Sequence, residues 1–68
     1  MLVVSAQKVQ AAMLERAVGT MALTKLSGLP SKTVSNFVTA DKRARMPTIT
    51  KLARALSVPP MELIKEMI

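Results

Sequence analysis

Cysteine and histidine are both absent from this chain of 68 residues. Disulfide staples, thiolate metal sites, zinc fingers and Ser-His-Asp or Cys-His catalysis go with them. Acids are scarce: Glu15, Asp41, Glu62 and Glu66 are scattered and offer no general acid/base pair. Gly19 and Gly28 are the only glycines, too few for a phosphate-cradling loop. No catalytic residue, cofactor, metal or small-molecule ligand is indicated, and the chain does not read as an enzyme. Phe37 is the only aromatic, which argues against a platform that stacks successive bases of a single strand. The apolar opening, Met1 to Val4, has no basic residue before it and polar residues soon after. It is neither a signal peptide nor a membrane span, and a soluble, cytoplasmic protein is the simplest reading.

What the chain does have is positive charge, unevenly placed. Ten Lys and Arg against four acids give a net charge of +6. Lys25, Lys32, Lys42, Arg43, Arg45, Lys51 and Arg54 share their stretch with one acid, Asp41. Such a basic middle is the electrostatic footprint of a phosphate backbone, against the plainer reading of charge kept for solubility.

Residues 20–38, TMALTKLSGLPSKTVSNFV, read as a short helix, a turn at Gly28 and a second short helix. In the second helix Val34, Phe37 and Val38 take the i, i+3, i+4 spacing of a buried face. Lys32, Ser35, Asn36 and Thr39 fall opposite; all can hydrogen-bond and none is acidic. That face suits base edges in a major groove, where the plain alternative is a solvated polar surface.

The remaining periodicity predicts three more helical segments and no strand. Ser5 caps a first helix through about Ala17, with Val9, Ala12, Met13 and Ala17 inward. Leu23 and Leu26 face inward from the second helix, and Pro30 opens the third. Residues 39–46 form a basic connector. Pro47 starts a fourth helix burying Ile49, Leu52, Ala53 and Leu56, and Pro60 a fifth running to the end of the chain. The expectation is one all-α domain over residues 1–68 with its helix-turn-helix at about 20–38.

The run from Leu23 through Ile64 resembles the phage-repressor and Cro-like helix-turn-helix family, also called XRE. The matching residues are Leu23, Gly28, Leu29, Thr33, Val34, Ser35 and Phe37, then Leu52 to Val58 (LARALSV), then Glu62, Leu63 and Ile64. The Ala53-x-x-Leu56-x-Val58 element is the more specific part, since it lies outside the helix-turn-helix and keeps the family's spacing from it.

The resemblance implies a compact all-α, lambda-repressor-like domain of four or five helices that binds operator DNA as a transcriptional repressor or activator, commonly as a dimer. It implies that Ser31, Lys32 and Asn36 contact bases with Ser35 assisting, and that Thr20, Thr33, Lys42, Arg43 and, further out, Arg45 contact phosphates. Thr20 stands where the family often has Gln, Thr24 for the usual Ala, and Ala40 for Gly. Met13 and Val38 occupy positions where an Arg and a Glu often form an ion pair; both are apolar here, an exchange that is often neutral or stabilising.

Small size and a readout surface of few residues lead us to expect a two-fold homodimer, with Leu63, Ile64, Met67 and Ile68 as contacts. The alternative is a helical protein-interaction module, an adaptor or inhibitor docking through Met and Leu, that kept the fold without DNA binding. Six methionines would suit it. A basic amphipathic membrane binder fits less well, because the cations concentrate around a loop instead of lining one helix face.

Overall fold

The computed structural model describes residues 2–67. Four α-helices follow the sequence closely: α1 (Ala6–Arg16), α2 (Thr20–Ser27), α3 (Ser31–Thr39) and α4 (Met46–Leu56). The hydroxyl of Ser5 accepts the Lys8 N–H at 3.3 Å and caps α1. Gly28 ends α2 at φ 72°, the left-handed conformation a glycine adopts without a Cβ clash. Pro30 is the N-cap of α3 and Pro47 sits in the first turn of α4, where a missing N–H costs nothing.

The all-α expectation is corrected by a small sheet. Leu2–Val4 form β1, Lys42–Ala44 form β2 and Ile64–Met67 form β3, antiparallel in the order β2-β1-β3. The expected fifth helix is only a 3-10 turn, Pro60–Leu63, before the chain turns into β3. Ile-Lys-Glu-Met suits a helix locally, but β1 offers it backbone partners that an isolated final helix would lack. The basic connector is likewise ordered from Lys42 to Ala44 by pairing with β1.

One core joins the sheet to the helices. Val4, Val9, Leu23, Val34, Ile49, Leu52, Leu56 and Leu63 are completely buried, with Phe37 nearly so. Two inward assignments and one interface assignment change. Leu26 is 61% exposed, because the buried stripe of α2 runs through Leu23 and Ser27 at i, i+4. Ala17 is exposed at the left-handed C-cap of α1, φ 53°. Leu63, expected at a dimer interface, is fully enclosed by its own chain, whereas Met67 is 70% exposed and Ile64 half-buried. Ile68 lies outside the described residues.

Asp41, between α3 and β2, ties the ends of the chain together. One carboxylate oxygen accepts the Ala6 N–H at the start of α1 at 2.9 Å; the other accepts Lys65 Nζ of β3 at 2.9 Å. The Ala6 bond first, then the Lys65 bond, holds the Asp41 carboxyl below its ordinary pKa, and Lys65 is raised in turn by Asp41. A depressed carboxyl stabilises the fold above its unfolded pKa and loses that effect as pH falls through the folded value. The melting temperature of Asp41→Asn is therefore expected to lie below that of the wild type by a constant gap above about pH 5, closing in stronger acid. A gap of unchanged size in strong acid would show that the ionised carboxylate is not the stabilising species.

Candidate nucleic-acid interface

The face of α3 follows from its packing. Val34 and Phe37 are driven into the core, and a helix that buries those positions must turn Lys32, Ser35 and Asn36 outward. All three are exposed, as is Ser31 in the first turn. The hydroxyl of Thr39 donates to the Ser35 carbonyl at 2.9 Å, so it serves its own helix. In the α2–α3 turn the Ser27 hydroxyl accepts the Leu29 N–H at 3.3 Å, and α2 packs against both α3 and α4. The outward face of α3 thus sits on a braced element.

The N-termini differ in kind. At α1 two N–H groups are taken, by Ser5 and Asp41. The N-caps of α2, α3 and α4 are Gly19, Pro30 and Arg45, none of which makes a side-chain capping bond. These ends retain backbone donors and the positive end of the helix dipole, an arrangement that favours anions.

Thr20, Lys42, Arg43 and Arg45 are exposed and Thr33 is half-buried. Arg43 is paired with Val3, and Lys42 with Val4, so the two side chains leave β2 toward opposite faces of the sheet. Among the described residues the single ion pair is Lys65 with Asp41, which takes none of these cations.

Residues 8–65 match the family model described as the Cro/C1-type HTH DNA-binding domain. The chain belongs to this family. The crystal structure of the restriction-modification controller protein C.AhdI from Aeromonas hydrophila is similar to it, with a TM-score of 0.75 and 26% sequence identity over 84% of this chain and 86% of that one. No curated protein matches the chain.

The departures from the Cro/C1-type pattern are accommodated. Ala40 is extended at φ −154°, a conformation that does not call for glycine. Thr24 donates its hydroxyl to the Thr20 carbonyl at 2.9 Å and still lets α2 pack on α3. Met13 and Val38 are half-buried against the core and line one apolar groove of about 560 Å³ together with Leu14, Ala17 and Val18. Two apolar side chains, each packed against the core, thus stand where the resemblance implies an ion pair.

Sequence reasoning missed the long-range tethers, two of which hold the end of α3. Gln10 Nε2 donates to the carbonyl of Val38, linking α1 to the end of α3. Asp41 was noticed only as the odd acid in a basic stretch, and that oddity was the available signal. Among the described residues no group of three Asp or Glu gathers to hold a metal ion, and no helix is long and apolar enough to cross a membrane.

Proposed function

We propose that this Cro/C1-type domain is a sequence-specific regulator of transcription, acting as a repressor, that lays α3 in the major groove of duplex DNA. The observation that carries the reading is the exposed, acid-free face of α3 opposite buried Val34 and Phe37. Asn36 has the paired donor and acceptor that match adenine, and Lys32 the donor that matches guanine O6 or N7, while Ser31 and Ser35 add hydroxyls that suit either partner. Thr20, Thr33, Lys42, Arg43 and Arg45 hold phosphates, helped by the uncapped helix ends, and fix the register without reading sequence. Repression requires nothing beyond occupying the operator. The similar Aeromonas protein is a controller protein of restriction-modification, which agrees with a regulatory role here.

The protein acts as a homodimer in this reading, with Ile64 and Met67 at the β3 end as contacts, since one short α3 face distinguishes few sites. The structural observations on the side of an interaction module are the apolar groove between α1 and α3, where Leu14 is 83% exposed, and the exposed side chains of Met21, Leu26 and Met61. A module of that kind would not bind duplex DNA at moderate salt.

Phosphate contacts are read by the dependence of affinity on salt. Lys42→Ala and Arg43→Ala, measured separately, are each expected to weaken binding to all duplexes alike and to lower the slope of log affinity against log salt by about one. Sequence preference should survive both. Unchanged slopes would reduce the basic strand to a solvated charge run.

A further inference from the structure

The acid beside the phosphate-binding strand presents a puzzle of sign. Asp41 immediately precedes Lys42 and Arg43, where a carboxylate should repel the very phosphates they attract. Its geometry resolves this. Both oxygens are engaged away from β2, one at the first N–H of α1 and the other at Lys65 of β3, each at 2.9 Å. Its negative charge is therefore met by a helix N-terminus and an ammonium. The same two bonds fix the backbone where the chain leaves α3 and enters β2, a strand of only three residues whose register is set by β1.

We propose that Asp41 is a positioning residue of the DNA interface: by anchoring the α3–β2 junction to α1 and β3 it holds Lys42 and Arg43 where phosphates meet them. The junction is short. Ala40 alone separates the last residue of α3 from Asp41, so a carboxylate held at two points fixes both the end of the reading helix and the start of the basic strand. Lys65, although far along the chain, thereby becomes part of the support. The inference rests on the assignment of Lys42 and Arg43 to phosphates, and its test separates the two.

The experiment measures binding of the full chain to a random-sequence duplex across a salt series. Charge alone predicts that Asp41→Ala binds more tightly, because net charge rises by one. Positioning predicts the reverse: loss of about one phosphate contact, hence a slope lower by about one and an affinity about fivefold weaker near physiological salt. Asp41→Asn carries the same charge as Asp41→Ala but keeps an acceptor for the Ala6 N–H, and is expected to recover part of that loss. Should Asp41→Ala not fold, Lys65→Gln leaves Asp41 and its bond to α1 in place. It is compared with Arg16→Gln, which removes the same charge and a bond to the Ser57 carbonyl that touches neither Asp41 nor β3, and should lower the slope further than that control. If Lys42→Ala and Arg43→Ala lower the slope but Asp41→Ala binds as tightly as the wild type or tighter, or Lys65→Gln merely equals Arg16→Gln, the positioning role is overturned. If Lys42→Ala and Arg43→Ala leave the slope unchanged, the phosphate assignment itself fails.

Discussion

Leu63→Ala is expected to destabilise the folded chain by about 2–5 kcal/mol, a large share of what a small domain possesses. Leu63 has no exposed surface, and it closes the core beneath α1 and α4 from the 3-10 turn. Truncation there removes apolar contacts and leaves a cavity that the turn, which follows Pro59 and begins with Pro60, has little freedom to fill. Met67→Ala provides the contrast four residues later. Its side chain is 70% exposed, so the unfolding free energy of the single chain should move by less than about 0.5 kcal/mol while dimerisation weakens. Chemical denaturation of dilute protein gives the first comparison, and sedimentation at tens of micromolar the second. A Leu63→Ala protein as stable as the wild type would show that the residue is not enclosed as described; a wild type that is strictly monomeric, free and on DNA, would remove the dimer.

Asn36→Ala is expected to cost about 1–3 kcal/mol at one base position of the preferred duplex and nearly nothing on duplexes already changed there. The side chain is exposed one turn from Lys32, and the two lie opposite the buried face of α3, so both address neighbouring base pairs if this helix enters the groove. Lys32→Ala should behave differently, because an ammonium contributes to base contact and to general attraction at once. Its loss should weaken specific and non-specific binding together. Titrating each variant against every single-base change of the preferred duplex separates these patterns. Full wild-type preference in Asn36→Ala at all positions would remove α3 from the reader's role.

The helices were legible because their signals are local. Apolar residues recur at helical spacing in α1, α3 and α4, and Gly28, Pro30 and Pro47 mark the boundaries. Leu26 was misplaced because the buried stripe of α2 runs from Leu23 to Ser27, a polar residue that periodicity of apolar side chains does not pick out. The sheet was not legible because its strands have three or four residues each and exist only through one another. Val3 and Val4 carried a faint β signal, whereas the residues of β3 favour a helix until β1 is at hand. Leu63 looked available to a partner for the same reason, since a free terminal helix has nowhere to put it. The outward residues of α3 followed from Val34 and Phe37 alone, but the tether at Asp41 joins positions 35 and 24 residues apart and left no periodic trace.

The central claim, that α3 reads duplex DNA, is tested most directly by selecting bound duplexes from a random pool with the wild type and Asn36→Ala in parallel. The account predicts that the wild type enriches a two-fold symmetric motif, its half-sites about one helical turn or a multiple apart. It predicts that Asn36→Ala enriches the same motif with preference lost at one position in each half-site. A wild type that enriches no motif, or a variant whose motif is identical at every position, would contradict it.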